Sequence, residues 1–453
     1  MKWTMRRPSG GLWGHRDFLK LWTGQSISEL GSQVSGLAIP LLAAYSLHAT
    51  PLQFSLLGVM GFLPFILFAL PAGVWVDRLR RRYILIAGDA GRAVLLAIVP
   101  ILWALHELQV WQLLVIEFMV GVLTVFFDVA YQSYLPALVE REDLIDGNSK
   151  LQLTASIAAV SGPPLAAGLM AAIGAAYAIL ADCASFVVST VFMVSMRHRE
   201  DPPKPELGQK HPKMWPQVKE GLNWVVRHPW LRPIAICTGT SNFFSTLSNA
   251  ILILYMARTL ALSKSEVAIV FVAMPVGSIV AGLVTNRVNT RIGVGHTILA
   301  TISVSSVAGL CYPLAPQSFP LPVIMVGGAL FGFGAVAYNI TQVSLRQAIT
   351  PERLQGRMNA AMRWIVWGTI PLGTLLGGVI ATWFSLRTAL WVGGIGSTLA
   401  ILPIAFSSVL KVQEMPEPVQ EPTAAQAELD GGILEPHPLP TIPATAAAAD
   451  ADA

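Results

Sequence analysis

Long apolar runs separated by short polar loops occupy most of the chain. The first half offers six runs, at about 22–46, 52–76, 83–105, 110–135, 151–172 and 175–196. The second half offers six more, near 231–257, 266–287, 295–315, 320–343, 355–383 and 388–410. Since about 20 apolar residues let a helix cross the hydrocarbon core of a bilayer, the pattern predicts an all-α polytopic membrane protein with twelve transmembrane helices.

Three polar stretches divide the chain into five parts. A basic N-terminal segment, 1–21, precedes the first run, and a charged, proline-rich linker, 197–229, separates the two sets of runs. The second part of this linker has apolar residues at helical spacing, which predicts an amphipathic helix on the membrane surface. The tail, 411–453, is rich in Pro, Ala and Glu and is predicted to be disordered. The hydrophobic parts, 22–196 and 230–410, each predict a six-helix bundle.

The composition supports this class and excludes several others. Hydrophobic residues make up 54% of the 453 positions and charged residues 12%, whereas soluble domains carry about 25% charged residues. The sequence has no phosphate-binding loop for an ATP-driven pump, no His-Glu-x-x-His zinc motif and no Gly-x-Ser-x-Gly hydrolase motif. Its basic residues are spread over loops, which argues against nucleic-acid binding. We therefore expect no enzyme, no metal and no organic cofactor.

Lys and Arg are distributed unequally between the two sides of the predicted bundles. Of the 30, 25 fall on one side, and only Arg258, Lys264 and Arg387 fall on the other. The remaining two, Arg92 and Arg363, lie within predicted spans. Because basic loops are retained in the cytoplasm, both termini are predicted to be cytoplasmic.

A basic loop pattern occurs twice, which indicates an internal repeat. The loop 73–82 aligns without a gap with 282–291, at an offset of 209. The aligned positions hold a glycine, an acid or its amide, and two arginines. Gly73, Asp77, Arg78 and Arg82 align with Gly282, Asn286, Arg287 and Arg291. His15 and His228 recur at an offset of 213. Six spans per half permit parallel repeats, so we predict two bundles with the same orientation.

With twelve predicted spans and a half-length repeat, the loop 73–82 resembles the signature loop between the second and third spans of the major facilitator superfamily. The resemblance covers about 12–410. Within the superfamily the chain is most similar to the drug and siderophore exporter branch, which includes macrolide efflux proteins and the enterobactin exporter. The stretches that carry this similarity are 21–25, 38–41, 89–92, 135–139, 220–224 and 371–373.

The resemblance implies the major facilitator fold and a secondary-active exporter that works by alternating access. It also implies a bacterial-type inner (cytoplasmic) membrane, a monomer, and contact with membrane lipid. The expected coupling ion is the proton, and the expected small-molecule substrate is lipophilic or siderophore-like. Two alternatives remain open, namely a proton-linked importer or facilitator, and a non-transporting sensor or scaffold of the same fold.

In the superfamily the signature loop holds the cytoplasmic side closed in the outward-facing state. By this resemblance Gly73, Asp77, Arg78 and Arg82 form a cytoplasmic gate, and the span that begins near Arg357 is their partner. An acid at a span end can bond the positive N-terminal end of a neighbouring helix. The alternative is that the basic residues of this loop only determine topology.

A second stretch resembles the antiporter signature of the superfamily. Gly162, Pro163, Pro164 and Gly168 lie on the fifth predicted span. Proline removes a backbone hydrogen bond and small residues let helices approach closely. The stretch is therefore predicted to kink and to pack against its partner in the other half. Proline and glycine are also common in membrane helices that have no such role.

Ionisable residues within spans are candidates for transport chemistry, because each costs roughly 2.5–3.5 kcal/mol at the bilayer centre. The candidates for proton coupling or substrate binding are Glu29, Asp128, Asp182 and Arg363. Polar residues at helical spacing around Glu29 form a stripe that should face a central cavity, namely Gln25, Ser26, Ser32 and Gln33. Burial opposes ionisation of such a carboxyl and a bound cation favours it, which is the coupling that antiport requires.

Each of these residues also has a structural interpretation. Glu29 would then be a buried acid bonded to the next helix, Asp182 a helix-packing group, and Arg363 a side chain extended towards the cytoplasm rather than an anion ligand. Asp128 would pair with Arg92 or with a loop arginine.

Three further ionisable residues complete the set within predicted spans. Asp89 and Arg92, at i and i+3, are expected to pair with each other. For this pair and Asp128 a structural ion-pair network is the preferred interpretation. Glu117 lies near the outer edge of its span and is predicted to be solvated.

Overall fold

The computed structural model describes residues 11–76, 79–139, 144–196 and 214–416. In these residues the N-terminal half forms six long helices, as its apolar runs predict. They are α1 (Arg16–Leu41), α2 (Pro51–Val76), α3 (Arg81–Ala104), α4 (Val110–Leu138), α5 (Leu144–Ile173) and α6 (Ala175–Ser195). A π-helical segment, Leu42–Ser46, directly follows α1.

The rest of the described chain forms nine helices. They are α7 (Met214–Arg227), α8 (Leu231–Arg258), α9 (Lys264–Ile292), α10 (Val294–Ala308), α11 (Cys311–Leu314), α12 (Pro320–Ala348), α13 (Glu352–Trp383), α14 (Leu386–Leu399) and α15 (Leu402–Ala405). The ninth and twelfth predicted spans are therefore each broken, into α10 and α11 and into α14 and α15. Pro313 and Pro403 explain the breaks, because neither can donate a backbone hydrogen bond to the preceding turn.

The start of α1 and the burial pattern of α7 follow from local residues. α1 begins at Arg16 rather than near 22, and the His15 ring caps it by accepting a hydrogen bond at Nδ1 from the backbone N–H of Phe18, at 3.0 Å. α7 lies within the linker, where Gly221 and Val225 are buried on one face while the residues between them are more exposed. The remaining linker, 197–213, and the predicted disordered tail beyond 416 lie outside the described residues.

Eleven described helical segments have the length and apolar content to cross a membrane. The seventh predicted span, α8, is not among them. Its 28 residues reach about 42 Å, which is ample to cross, but hydroxyl and amide residues interrupt its apolar sequence between 238 and 249. α8 packs against α13 and α14, which shields part of this polar stretch from lipid.

The two halves repeat one arrangement of helices. α1 packs against α5 and α6, and α2 and α3 both pack against α4. In the second half α8 likewise packs against α13 and α14, and α9 and α10 both pack against α12. The turn after the first helix is repeated too, since His48 and Ala261 have positive φ angles of 50° and 52°. The predicted internal repeat is therefore confirmed in helix packing and in the backbone.

The buried apolar residues form one core that the two halves share and two cores that they do not. The shared core joins the ends of α1 and α2 around 42–57 to the ends of α8 and α9 around 247–270, on what we call the far side. The opposite side, which we call the terminal side, has one core between Leu12 and Met196 and a separate one between Val225 and Val412. The halves are thus joined at the far side, whereas their described cores are separate at the terminal side.

Contacts between the halves reinforce this closure of the far side. Arg258 Nη2, at the end of α8, donates to the backbone carbonyl of Ala49 at 2.7 Å. The rings of Phe62 and Phe65 on α2 meet the Trp367 ring of α13 edge-on, with centroid distances of 6.1 and 6.4 Å. Both contacts therefore join the N-terminal half to the C-terminal half.

Candidate transport site

A cavity of about 340 Å³ lies inside the N-terminal bundle, between α1, α3, α4 and α6. Five ionisable side chains line it: Glu29, Arg92, Glu117, Asp128 and Asp182. Each comes from one of the predicted spans, and sequences far apart in the chain meet there because these four helices pack around the space. Four acids and one base make the described wall acidic.

The polar stripe of α1 faces this cavity, as its spacing predicts. Gln25, Glu29 and Ser32 all line it. One polar atom of this stripe, Gln25 Oε1, is buried without a hydrogen-bond partner among the described residues. Since buried polar atoms are normally satisfied, this oxygen is free to accept a hydrogen bond from water or from a polar group of a substrate.

Arg92 is held by its own helix and by two aromatic rings. Its guanidinium pairs with Asp89 one turn earlier on α3, as predicted. The same group lies 4.3 Å from the ring centroids of both Phe127 and Phe186, close enough for cation–π attraction. The contact of these two rings with Arg92 could not be predicted from the sequence, because apolar residues on α4 and α6 look like ordinary core residues. Arg92 therefore forms part of the cavity wall, and its positive charge is already offset by the Asp89 carboxylate.

Asp182 is both a cavity acid and a packing group. It is 1% exposed, and its Oδ1 accepts hydrogen bonds from Ser185 at 3.1 Å and from Ser32 of α1 at 3.4 Å. Gly31 makes this approach of α1 to α6 feasible, since a Cβ there would stand 2.7 Å from the same oxygen. The carboxyl thus joins the two helices and also lines the cavity.

The surroundings of the Asp128 and Glu117 side chains differ from those that the sequence predicts. Both line the cavity from α4, and neither forms a salt bridge with a residue in the described part of the chain. The predicted solvation of Glu117 is wrong, because α4 turns this residue towards α1 and α2 rather than outwards, and Gly61 of α2 lies beside its carboxyl. The expected pairing of Asp128 with Arg92 is replaced by the pairing of Arg92 with Asp89.

Arg363 lies on α13, in the other half, and is not among the described residues that line this cavity. Its side chain is exposed, and its guanidinium lies 4.3 Å from the centroid of the Trp367 ring one turn further along. Trp367 is the residue that contacts α2. Arg363 is therefore next to the contact between the halves and not with the acids.

The gate residues of the signature loop fall into three groups. Gly73 lies in the last turn of α2, whereas Asp77 and Arg78 lie outside the described residues. Arg82 donates to the carbonyls of Met193 and Val194 at the end of α6, at 3.1 and 2.7 Å. A cation at the C-terminal end of a helix is favourable for the helix dipole.

Arg357 pairs with Glu220 of α7 and so ties the surface helix to the start of α13. The pair is partly exposed, which limits its contribution to stability. In this conformation Arg82 contacts the end of α6, and Arg357 contacts the linker helix α7. Neither of these contacts joins the two six-helix bundles, which agrees with the separation of the cores on the terminal side.

The antiporter-like stretch lies on α5, and Pro163 and Pro164 are within the helix. Its glycines have different surroundings. A Cβ on Gly162 would stand 2.7 Å from Gln33 Cγ of α1, in the same half, whereas a Cβ on Gly168 would meet nothing within 4 Å. Gly162 therefore packs against its own bundle and not against the other half, although α5 does contact α9 elsewhere.

We expect Gly162→Val to lower the stability of the N-terminal bundle by about 1–3 kcal/mol, because the added carbons overlap the Gln33 side chain. Gly168→Val on the same helix is the control, since space surrounds that position. Thermal midpoints of the two purified variants measure the difference. Equal midpoints would show that α1 and α5 do not need this close approach.

Comparison with known proteins agrees with this architecture. Residues 13–430 match the family described as transmembrane secretion effectors. The chain is 24% identical to macrolide efflux protein A of Streptococcus pyogenes, over 80% of this chain and 89% of that protein. It is 26% identical to the enterobactin exporter of Citrobacter koseri, over 90% of this chain and 95% of that protein.

A solved structure extends the comparison to the fold. A bacterial homologue of the iron transporter ferroportin, in an inward-facing state, superposes with a TM-score of 0.67 at 16% identity, covering 86% of this chain and 98% of that one. The matched family and these relatives are transporters and not enzymes. The chain is a multi-pass membrane protein with the major facilitator fold, and it belongs to the transmembrane secretion effector family, a bacterial family of transporters.

Proposed function

We propose that this protein is a proton-driven exporter of a small lipophilic molecule with a basic nitrogen. The observation that carries the proposal is the acidic cavity, where four carboxyl groups face one arginine that is already paired. Relatives named for macrolide efflux and for enterobactin export support the outward direction. Among their cargoes, the acids favour a lipophilic cation over an anionic siderophore, because an anion would meet uncompensated carboxylates.

Glu29, Asp128 and Asp182 are the proposed coupling residues, and Glu117 joins them on the evidence of its position. An isolated carboxylate away from water is costly, so each group favours either a proton or a bound cation. The substrate and the proton therefore compete for the same oxygens. A proton that enters from outside protonates the carboxylate and releases the substrate, and loss of that proton to the cytoplasm restores the site.

The arrangement of the cores supports transport by alternating access. The far side is closed by contacts between the halves, while the terminal cores are separate. With 25 of 30 Lys and Arg residues on the terminal side, the positive-inside rule supports cytoplasmic termini and an inner-membrane location. The conformation is then the one that loads substrate from the cytoplasm, and export requires the halves to close there and open at the far side.

Accumulation of labelled compounds in efflux-deficient cells tests the proposal. The panel contains lipophilic cationic dyes, macrolides and catecholate siderophores, each with and without a protonophore. We expect lower accumulation of cationic compounds in expressing cells, and we expect the protonophore to abolish the difference. Higher accumulation would indicate an importer. No difference across the panel would favour a sensor or scaffold, and selective export of the siderophores would contradict the cationic substrate.

A further inference from the structure

A second cavity, of about 410 Å³, lies on the terminal side where α7 meets the start of α8 and the end of α15. Its described lining includes Arg227, His228 and Arg232 and no acid. It is separate from the transport cavity, because all of its lining comes from the linker and the second half. Neither arginine forms a salt bridge with a residue in the described part of the chain.

His228 lies in the wall of this cavity and has an unused hydrogen-bond donor. The side chain is 1% exposed, and its Nδ1 accepts from the backbone N–H groups of Trp230 and Leu231 at 3.2 and 3.4 Å. Since Nδ1 accepts, the ring hydrogen is assigned to Nε2. Nε2 has no partner among the described residues. Burial lowers the pKa of His228 to about 4, so the ring is neutral at pH 7 and retains this arrangement.

The repeat provides an internal comparison. His15 is the counterpart of His228 and caps α1 in the same way, through Nδ1 to the backbone N–H of Phe18. His15 is exposed, however, so water satisfies its other nitrogen. Capping alone therefore does not require a buried ring, and the burial of His228 beside two arginines is specific to the second half.

Apolar residues border the same cavity. Phe406 is 87% exposed, and Val226 and Ile236 are each 49% exposed. Val226 lies at the end of the surface helix α7, Ile236 lies in the second turn of α8, and Phe406 directly follows α15. With the terminal side in the cytoplasm, these positions place the cavity where phospholipid phosphates would meet acyl chains. A free phosphate ion would use the arginines and the histidine but not this apolar border, whereas a phospholipid would use both.

We propose that this cavity binds the phosphate of an anionic phospholipid, with Arg227, Arg232 and His228 Nε2 as donors. The two guanidinium groups supply charge and the imidazole N–H supplies a directed hydrogen bond. The acyl chains lie over Phe406 and its apolar neighbours. A lipid bound there fixes the surface helix α7 against α8 and α15, and so anchors the linker between the halves.

Native mass spectrometry of the full-length protein in detergent, titrated with phosphatidylglycerol, tests the site. The variants are His228→Asn, which keeps an acceptor for the helix cap but removes the Nε2 donor, and Arg227→Gln and Arg232→Gln. We expect affinity to fall about tenfold for the histidine variant and about fivefold for each arginine variant. His15→Asn and Arg16→Gln, at the related end of α1, should bind phosphatidylglycerol as the wild type does.

Two results would overturn the proposal. One is wild-type affinity for phosphatidylglycerol in both His228→Asn and Arg232→Gln, provided that their thermal midpoints show that they fold. The other is displacement of phosphatidylglycerol by equimolar inorganic phosphate, which would assign the site to a free anion. Equal affinity for phosphatidylcholine and phosphatidylglycerol would also contradict a site selective for net negative charge.

Discussion

Glu29→Gln should abolish proton-driven export while the protein still folds. Glutamine keeps the size and the hydrogen-bonding capacity of the side chain but cannot release or take up a proton. One inward proton offsets the electrical work of expelling one monovalent cation, about 2.3 kcal/mol per 100 mV. Loss of coupling should therefore raise the cellular accumulation of a transported cationic dye by up to about 50-fold at 100 mV.

Glu107→Gln is the matched control for this prediction. Glu107 is an exposed acid in the turn between α3 and α4, outside the cavity. The same substitution there should leave accumulation of the dye at the wild-type level. Wild-type export by the Glu29 variant would show that Glu29 does not couple transport, and the same comparison with Asp128→Asn and Asp182→Asn would then locate the coupling acid.

Gly378→Val should prevent closure of the far side. A Cβ on Gly378 of α13 would stand 2.5 Å from Ser55 Cβ of α2 and 3.1 Å from the carbonyl oxygen of Pro51. Overpacking of this kind costs about 1–3 kcal/mol, and here only the conformation closed at the far side bears that cost. The equilibrium should shift about 5- to 150-fold towards the conformation open at the far side.

Labelling of an introduced cysteine measures this shift. Thr374 is buried beside Gly58 in the contact between α2 and α13, so Thr374→Cys should react slowly with a membrane-impermeant thiol reagent added outside. The background lacks Cys183, Cys237 and Cys311. Gly378→Val should speed the reaction and slow transport, whereas Gly368→Val, which meets nothing within 4 Å, should change neither. Unchanged labelling in both variants would show that the far side does not close through this contact.

The sequence predicts the helices well because each membrane-crossing helix requires an apolar run of about 20 residues. It also predicts the repeat, because the loop 73–82 and the capping histidines recur at nearly constant offsets. It misses the breaks before Pro313 and Pro403, because the apolar runs continue through them. The start of α1 is likewise hidden, since the sequence before 22 is polar although it is helical from Arg16.

The candidate site is predicted only in part. The stripe around Glu29 is visible because the residues that share its face lie on the same helix. The place of Glu117 in the cavity wall is not visible, because it depends on how α4 packs against α2, which one helix alone does not encode. Closure of the far side cannot be predicted from the sequence either. Tyr45 and Arg258 donate hydrogen bonds to backbone carbonyls, and since every residue has a backbone carbonyl, the sequence does not indicate which one is the partner.

Gradient-driven transport in proteoliposomes tests proton-coupled export most directly. Purified protein is reconstituted, a proton gradient is imposed, and flux of a cationic dye is followed together with internal pH, with Glu29→Gln alongside. Proton-coupled export predicts that dye and protons move in opposite directions, and that both movements stop when a protonophore collapses the gradient and in the Glu29 variant. Dye flux that persists at the same rate without a gradient, or that moves no protons, would contradict it.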